Sequence, residues 1–329
     1  MSFLDASPTR QNPIQNEVFT YKPPWPLYAL SSSKNQGSFL ISSMLEQSTN
    51  YIQHLSFNNT TNTIQLQSTA NHLYPPTKIM WSPPTIQDQL FATSSDCLRL
   101  WRFEDGQMIV RAQLAPHYDN KEYNGPLTSF DWCVHDPGTL GTASIDKTCT
   151  IWDLNKQVVR KQILAHNNEV NDIAFSHDSN IFVTASTDCS VRKFDLRSLD
   201  QCSIIYENPR QTAVVRVCWN KCDPNYLAVL NMDASSVIII DIRNQLYPYN
   251  EIKGYSGGIN SMCWAPNGYC ICIAGEDCHV LIKDTGKPLQ GQKDNVLIYN
   301  ASAKVLGVTW SSFDEIAMVL SESLQYIKL

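Results

Sequence analysis

The densest group of potential metal ligands in the chain lies between residues 270 and 279. Cys270 and Cys272 are separated by one residue, and Cys278 is followed directly by His279. Structural zinc sites pair their cysteines as Cys-x2-Cys, a spacing that this segment lacks. Free cysteine is also among the residue types most often buried, so core packing is the competing interpretation. The segment is therefore expected to hold no metal ion and no cofactor.

The sequence carries no local signature of catalysis. A cysteine or serine nucleophile needs an oriented base, and none of the seven histidines lies in a nucleophile elbow or a His-Glu-x-x-His motif. Gly254, Gly257 and Gly258 lack the spacing of a phosphate-binding loop. We therefore expect a protein that is not an enzyme.

The net charge and the distribution of apolar residues and cysteines indicate which kinds of partner the protein can bind and where it acts. The 25 Lys and Arg residues against 31 Asp and Glu give a net charge of −6, which argues against direct binding of nucleic acid. No apolar run approaches the ~18 residues that a membrane span needs, and Asp5, Pro8 and Arg10 interrupt the region where a signal peptide would be apolar. The eleven cysteines are scattered singly, which favours reduced thiols. These features predict a cytoplasmic and nuclear protein that does not contact membranes.

The elements that must position any functional side chain follow from an internal repeat. Short apolar runs that end in a large aromatic residue recur at spacings of 51, 43, 44, 45 and 46 residues. These anchors are Trp81, Trp132, Phe175, Trp219, Trp264 and Trp310, with a weaker member ending at Ser32. Seven units of about 47 residues account for nearly the whole chain.

Each unit has room for four short strands. The runs are β-branched and aromatic, alternate with period two, and are bounded by Asp, Asn, Gly and Pro. Trp152-Asp153 is an intact WD dipeptide, and Phe194-Asp195 is an aromatic variant of it. Four strands in roughly 40 to 45 residues is typical of a WD40 blade. The predicted fold is all-β: a single seven-bladed WD40-type β-propeller closed by an N-terminal strand.

The closing strand follows from counting strands in the last unit. That unit supplies only three, and an open ring would expose two sheet edges. The unassigned segment from Glu17 to Tyr21 is therefore predicted to pair with the segment from Leu324 to Lys328. The propeller is predicted to span residues 17–329 after a flexible N-terminal tail of residues 1–16, with polar loops in the range 31–72.

Acids at the turns between strands are assigned a structural role, because Asp accepts backbone N–H groups in turns. In the fourth unit, His166 stands nine residues before the anchor Phe175 and is predicted to join a network that fixes the turn. Phe194 cannot donate the indole N–H that a tryptophan would supply there. The residues assigned to structural turns are His166, Ser186, Asp188, Asp146, Asp233 and Asp277.

The residues beside these acids face the entrance of the central channel in a WD-type blade. Ile145 and Met232 are apolar there, and two apolar side chains on one rim are either incidental or a contact surface for a partner. Blade geometry adds positions four or six residues before the anchors. The predicted protein-binding rim consists of Thr77, Thr128, Ile145, Glu169, Asn171, Thr187, Met232, Asn260, Glu276 and Lys304.

A second candidate surface follows the third strand of two consecutive units. Asp195 and Asp241 are each followed two residues later by an arginine, Arg197 and Arg243. This pattern resembles the WDxR box of substrate receptors in cullin-RING ubiquitin ligases, which implies contact with a ligase adaptor. Arginine suits bidentate recognition of carboxylates and carbonyls. The alternative interpretation is an ion pair within each blade, formed by the acid and the arginine that follows it.

Several longer strings are more specific than the general repeat. They include Tyr21-Lys-Pro-Pro-Trp-Pro-Leu-Tyr-Ala29, Ser144-Ile-Asp-Lys-Thr-Cys-Thr-Ile-Trp-Asp153 and Cys218-Trp-Asn-Lys-Cys-Asp-Pro-Asn-Tyr-Leu-Ala228. Together they resemble the WD-repeat family of the plant regulator Transparent Testa Glabra and its animal counterpart, a scaffold for dual-specificity kinases. The resemblance runs from about Tyr21 to the C-terminus and weakens after Trp264, where Val280-Leu-Ile-Lys-Asp284 replaces the family's apolar-Trp-Asp string.

The resemblance implies a non-catalytic scaffold that assembles regulatory protein complexes. Its plant members look like bridges between MYB and basic helix-loop-helix transcription factors, and its animal members hold dual-specificity kinases near their substrates. Two other classes stay open. One is a substrate receptor of a cullin-RING ubiquitin ligase, and the other is an enzyme that uses a buried acid or histidine cluster in the propeller channel.

Overall fold

The alternating runs fold into β-strands throughout the part of the chain that the structure, a computed structural model, describes: residues 17–33, 37–84, 90–115, 125–198, 202–286 and 296–329. These residues form 28 strands and no helix, in seven four-stranded antiparallel sheets. Consequently, no helix among them could cross a membrane. The predicted seven-bladed β-propeller is confirmed. The predicted N-terminal tail, residues 1–16, lies outside the described residues.

The first four blades each use four consecutive strands, ordered from the channel outward. Blade 1 is formed by β2 (Leu27–Ser32), β3 (Ser38–Ser43), β4 (Asn50–Asn58) and β5 (Thr63–His72). Blade 2 is formed by β6 (Lys78–Trp81), β7 (Leu90–Ser94), β8 (Leu98–Glu104) and β9 (Gln107–Leu114). Blade 3 is formed by β10 (Leu127–Trp132), β11 (Thr139–Ser144), β12 (Thr148–Asp153) and β13 (Val158–Leu164). Blade 4 is formed by β14 (Val170–Phe175), β15 (Ile181–Ser186), β16 (Ser190–Asp195) and β17 (Ser203–Glu207).

The remaining three blades complete the ring, and the last one combines both ends of the propeller chain. Blade 5 is formed by β18 (Val214–Trp219), β19 (Tyr226–Asn231), β20 (Val237–Asp241) and β21 (Asn250–Ile252). Blade 6 is formed by β22 (Ile259–Trp264), β23 (Cys270–Gly275), β24 (His279–Asp284) and β25 (Val296–Asn300). Blade 7 is formed by β26 (Val305–Ser312), β27 (Glu315–Leu320), β28 (Leu324–Lys328) and β1 (Glu17–Tyr21).

The predicted closure is confirmed in its register. β1 runs antiparallel to β28, with Glu17 opposite Lys328 and Tyr21 opposite Leu324. Phe19, in the middle of β1, lies 4.6 Å from the ring of Phe57 between centroids. The outermost strand of blade 7 is therefore held both by its backbone pairing and by aromatic packing.

Apolar clusters between neighbouring blades form the core. Among the described residues there are seven such clusters, one for each pair of adjacent blades. Trp132 and Trp219 are almost completely buried, and their indole groups donate to the carbonyls of Pro137 and Pro224 at 2.7 and 2.9 Å. These repeat anchors are thus core residues whose one polar group is satisfied.

Much of the polar range 31–72, for which the sequence predicts loops, forms strands. β4 and β5 have 9 and 10 residues and are joined by a tight turn in which Asn58 Oδ1 accepts the N–H groups of Thr60 and Thr61 at 2.9 and 3.3 Å. The polar side chains are compatible with strands because β5 is the outermost strand of blade 1 and exposes most of its residues. The composition therefore reflects an exposed hairpin.

Candidate functional site

The antiparallel order of the strands gives the propeller two faces. The turns between second and third strands lie at one face, together with the entries to the first strands. We call this the upper face. The turns that follow the first and third strands lie at the opposite, lower face. The predicted rim belongs to the upper face, whereas Arg197 and Arg243 follow the third strands β16 and β20 and lie on the lower face.

Equivalent turns in five blades present one residue each at the upper face. In every case the backbone N–H donates to a carbonyl just before the first strand of the same blade, at 2.8 to 3.2 Å. The five residues are Met44, Ile145, Thr187, Met232 and Glu276. Ile145, Met232 and Met44 are 45%, 50% and 54% exposed. These turns therefore present apolar side chains from blades 1, 3 and 5 at the upper face.

Met44 was not among the predicted rim residues. Its blade begins with the weak anchor Ser32, which is not aromatic, so the repeat was difficult to follow there. Met44 nevertheless follows Ser32 by 12 residues, the interval that separates Thr187 from Phe175. The regular spacing was the signal that could have identified it.

Four predicted rim residues have a different use in the structure. Their side chains are half-buried and donate hydrogen bonds of 2.5 to 3.0 Å to carbonyls at the start of the next blade's first strand. These bonds join Thr77 to Leu127, Thr128 to Val170, Asn171 to Val214 and Asn260 to Val305. The side-chain donors are engaged within the ring, and they fix the seams between blades.

The charged members of the predicted rim remain exposed and interact with one another. Glu169 accepts a 2.7 Å hydrogen bond from the hydroxyl of Thr187, which lowers the pKa of the Glu169 carboxyl. Lys304 Nζ lies 3.4 Å from Glu276 Oε1 across the seam between blades 6 and 7. Exposed pairs of this kind contribute little to stability. Their main effect is to surround the apolar rim residues with charge.

The predicted turn network of blade 4 is centred on a buried histidine. Nδ1 of His166 lies 2.9 Å from Asp188 Oδ2, and Nε2 lies 2.7 Å from Thr184 Oγ1. Ser186 Oγ accepts the N–H of Asp188 at 3.0 Å, and the hydroxyl of Ser190 donates to Asp188 at 2.6 Å. Burial lowers the pKa of His166, although Asp188 opposes this effect. Neutral His166 therefore links the turn to strand β15.

A second histidine network, which the sequence analysis missed, joins the last residue of β5 in blade 1 to blade 2. His72 Nε2 lies 3.1 Å from Thr93 Oγ1, and the indole of Trp101 donates to the same hydroxyl oxygen at 2.9 Å. Burial lowers the pKa of His72 to about 4. Blade 4 has Phe194 where blade 2 has Trp101, so its network lacks the indole donor. His72 precedes Trp81 by nine residues, the same offset that identified His166.

The other turn acids stabilise their turns in two ways. Asp146 accepts the N–H groups of Thr148 and Gly125 at 3.0 and 3.1 Å. Asp277 accepts two N–H groups in the same arrangement, at 3.0 and 3.1 Å. Asp233 adopts a left-handed backbone conformation, with φ of 54°. This conformation is one that Asp tolerates better than most residues.

The two arginines of the lower face occupy matching positions in blades 4 and 5. Arg197 forms a bidentate pair with Asp195, through Nε at 2.8 Å and Nη2 at 2.6 Å. Arg243 pairs with Asp241 in the same way, at 2.9 and 2.7 Å. Both side chains are 58% exposed. The ion pairs within each blade are present, and they hold each guanidinium in a fixed orientation toward solvent.

Two buried carboxylates lie on the inner strands β10 and β14. Asp131 lies 3.1 Å from Lys221 Nζ, and Asp172 lies 3.6 Å from Lys78 Nζ. Each carboxylate also accepts a backbone N–H from the next blade. Within the described ranges, no group of three or more His, Cys, Asp or Glu side chains could hold a metal ion. The observed role of both acids is to join inner strands.

Comparison with known proteins is consistent with the repeat. The family described as WD domain, G-beta repeat matches residues 157–195 and 246–284. The DDB1- and CUL4-associated factor 7 homolog of Dictyostelium discoideum is 39% identical over 323 residues, covering 96% of this chain and 99% of that protein. An uncharacterized WD repeat-containing protein of Schizosaccharomyces pombe is 33% identical over 356 residues, covering 96% and 81%. A WD repeat-containing protein of Saccharomyces cerevisiae is 31% identical over 310 residues, covering 83% and 59%.

These relatives support the predicted family at the level of the WD repeat. None of the three bears the name of the Transparent Testa Glabra group, so the finer resemblance gains no support from them. The 39% identity extends over nearly the full length of both proteins. Together with the seven four-stranded blades, this similarity shows that the chain belongs to the WD-repeat family of β-propellers.

Proposed function

We propose that the protein is a non-catalytic adaptor that associates with DDB1 and acts as a substrate receptor of a CUL4 ubiquitin ligase. The observation that carries this proposal is the 39% identity to the DDB1- and CUL4-associated factor 7 homolog over 99% of its length. A more distant WD-repeat relative, subunit I of translation initiation factor 3 from Xenopus tropicalis, is 29% identical over only 59% of this chain. Identity of 39% over nearly the full length of both chains favours a shared partner over a shared fold alone.

We favour a substrate receptor of a cullin-RING ligase over a scaffold that holds transcription factors or kinases. The relative with nearly complete coverage is named for DDB1 and CUL4. The resemblance to a transcription-factor or kinase scaffold remains a prediction from sequence strings.

The arginines of the lower face are suited to contact an adaptor. Asp195 and Asp241 each bind Nε and Nη2 of the arginine that follows. Nη1 of Arg197 and of Arg243 has no hydrogen-bond partner among the described residues. A carboxylate or carbonyl of DDB1 can therefore bind this nitrogen without breaking the pair. Because each guanidinium is already held in place, less side-chain entropy is lost on binding.

A substrate receptor must bind both the ligase adaptor and a substrate, and the propeller offers one face for each. The lower face would hold DDB1 through Arg197 and Arg243, and the upper face would hold a substrate through Ile145 and Met232. Exposed apolar side chains surrounded by charge are typical of protein contact surfaces. The strands of the blades keep the two surfaces apart, so both partners can be bound at once.

The test is direct binding between the purified full chain and purified DDB1, measured by biolayer interferometry. Replacing both arginines, Arg197→Ala with Arg243→Ala, should weaken DDB1 binding at least tenfold. The matched control is Arg111→Ala with Arg160→Ala, which makes the same change in net charge on the exposed outer strands β9 and β13. Absence of DDB1 binding by the unmodified protein would overturn the ligase proposal. Equal weakening by both double variants would overturn the assignment to the lower-face arginines.

A further inference from the structure

A cleft opens on the lower face between blades 5 and 6. Its volume is about 340 Å³, and its lining includes the rings of Tyr226 and Tyr249 from blade 5 and of Tyr269 from blade 6. The rings of Tyr226 and Tyr249 lie 4.8 Å apart between centroids and are tilted by 52°. Asp223 and Asp284 add two carboxylates to the lining. The cleft is distinct from the upper rim, and Arg243 adjoins it, since Nη2 of Arg243 donates to the hydroxyl of Tyr226 at 3.3 Å.

Hydrogen bonds across the seam hold the walls of the cleft in place. Asn220 donates from Nδ2 to the carbonyl of Gly268 at 2.8 Å, and Asn250 donates to the carbonyl of Thr285 at 3.2 Å. The hydroxyl of Thr285 in turn donates to the carbonyl of Tyr269 at 2.8 Å. Gly268 has φ of 74°, and a Cβ there would lie 2.6 Å from Cys222 Cβ, so this close approach requires glycine. Because these walls are already held in place, little conformational entropy is lost when a ligand binds in the cleft.

The groups that line the cleft are electronegative. The faces of aromatic rings attract cations, as the position of Arg243 illustrates: its guanidinium lies 5.7 Å from the centroid of the Tyr226 ring. Asp223 and Asp284 each use Oδ1 to accept N–H groups of their own turns. In the described part of the chain, neither carboxylate forms an ion pair, whereas Arg243 is paired with Asp241. The unmatched charge of the cleft is therefore negative.

We propose that this cleft binds the guanidinium or ammonium group of an arginine or lysine side chain on a segment of a partner protein. The rings would surround the cation, and Asp223 and Asp284 would accept its N–H groups. This binding does not depend on association with DDB1.

The surface beside the cleft favours a protein segment as the source of the cation. The loop of residues 242–249 leads into Tyr249 and carries Leu246 and Tyr247, which are 83% and 77% exposed. Large hydrophobic side chains with this exposure are characteristic of contact surfaces. A peptide could place its cationic residue in the cleft and rest an adjacent apolar residue on Leu246 and Tyr247.

The experiment uses the full chain labelled with 3-fluorotyrosine and observed by fluorine NMR. Three capped peptides are titrated, identical except for a central arginine, lysine or citrulline next to a leucine. The arginine and lysine peptides should shift the resonances of Tyr226, Tyr249 and Tyr269, which are assigned by single Tyr→Phe variants. Their affinity should be at least fivefold higher than that of the uncharged citrulline peptide. Absence of shifts at these tyrosines, or equal affinity for citrulline, would overturn the proposal.

Variants and a second cation make the test specific. Asp223→Asn with Asp284→Asn should weaken the arginine peptide at least fivefold, and so should Tyr269→Ala, whereas Tyr269→Phe should retain binding. Tyr269 is highly exposed, so a normal thermal melt is expected for both of its variants. Choline offers a positive charge without N–H donors and should bind more weakly than the arginine peptide. Choline binding of equal strength would overturn the assignment to a protein side chain in favour of a lipid headgroup.

Discussion

Blade 4 is joined to both of its neighbours through buried carboxylates. Asp131 of blade 3 accepts the backbone N–H of Phe175 at 2.7 Å, and Asp172 of blade 4 accepts the N–H of Val217 at 3.0 Å. The hydroxyl of Ser129 donates to Asp172 as well. Along the inner strands of blades 3 to 5, buried carboxylates therefore bind N–H groups of the next blade. We call blades 2 to 5 the charged sector; it contains the His166 network and also Thr93 and Trp101, which bind each other beside His72 at its border with blade 1.

Blades 6, 7 and 1 form a neutral sector. Ser261 Oγ accepts the N–H of Val308 at 3.2 Å, and the hydroxyl of Ser32 donates to the carbonyl of Trp310 at 2.6 Å. The last connection in this sector is the backbone pairing of β1 with β28. These blades are thus joined by hydroxyl groups and by the two ends of the propeller chain.

The two sectors can be compared directly, because the same position of the repeat supplies the hydrogen-bond acceptor in both. Asp172 and Ser261 each stand three residues before an aromatic anchor, and each binds the N–H that lies two residues before the next anchor. The backbone geometry therefore requires an acceptor and does not require a charge. A buried carboxylate makes stronger hydrogen bonds, but its removal leaves a larger penalty. The charged sector should be more sensitive to mutation and acid, and the neutral sector to loss of the chain end.

Removing the closing strand should have the largest effect. Deletion of residues 1–22 removes β1, exposes the edge of β28 and removes Phe19 from its contact with Phe57. We expect aggregation or loss of the cooperative thermal melt, measured by size-exclusion chromatography and circular dichroism. Deletion of residues 1–12 leaves β1 in place and should be harmless. Identical melts of the two deletions would show that the neutral sector does not depend on closure.

Replacing the side-chain acceptor between two blades in each sector compares how much these hydrogen bonds contribute to the free energy of unfolding. Asp172→Ala leaves the N–H of Val217 and the hydroxyl of Ser129 without their acceptor, and should lower the free energy of unfolding by roughly 3 kcal/mol. Ser261→Ala, the matched change in blade 6, should cost about 1 kcal/mol. The measurement is urea unfolding followed by tryptophan fluorescence. Equal losses in the two variants would contradict the distinction between the sectors.

Short-range patterns predicted most of the fold but fewer of the contacts. Anchors such as Trp132 and Trp219 were recognisable because aromatic residues recur at a regular spacing. Closure by Glu17 to Tyr21 was predictable because one strand was missing and one segment was unassigned. The roles of Thr77 and Asn171 were not predictable, since their partner carbonyls lie 50 and 43 residues further along the chain. A side chain whose hydrogen-bond partner lies in another blade produces no recognisable pattern in the neighbouring sequence.

Acid should destabilise the seam between blades 1 and 2, at the border of the charged sector, through His72. Its pKa is lowered from 6.5 to about 4, chiefly by burial, while Arg99 lowers it and Asp96 raises it to a smaller extent. Between pH 6.5 and pH 4 the unfolded chain binds a proton that folded His72 does not, so stability falls as the pH falls through this window. His72 should account for a loss on the order of 2 kcal/mol between pH 7.5 and pH 5.

The measurement is the free energy of unfolding as a function of pH. His72→Gln should flatten the profile between pH 7.5 and pH 5. Trp101→Phe is the control, since it removes the indole donor to Thr93 and some buried volume but keeps an aromatic ring beside His72. It should lower stability by roughly 2 kcal/mol at every pH, because both a hydrogen bond and buried volume are lost, and should leave the slope intact. A parallel profile for His72→Gln would show that another group causes the acid sensitivity.

The smallest expected effect concerns the upper rim, whose apolar residues come from both sectors: Ile145 and Met232 from the charged one and Met44 from the neutral one. Ile145→Asp and Met232→Asp should each weaken binding of the partner recovered by affinity capture by more than ~1 kcal/mol, because apolar anchors at a contact surface carry much of its binding energy. The thermal melt should stay unchanged, since both side chains are exposed. Val158→Asp, on the outer strand β13, introduces the same charge away from the rim and should leave binding intact. Met44→Asp then determines the extent of the surface: weaker binding would mean that the partner spans both sectors, and unchanged binding would confine it to blades 3 to 5. Full affinity in the Ile145→Asp, Met232→Asp double variant would rule out the rim as the contact surface.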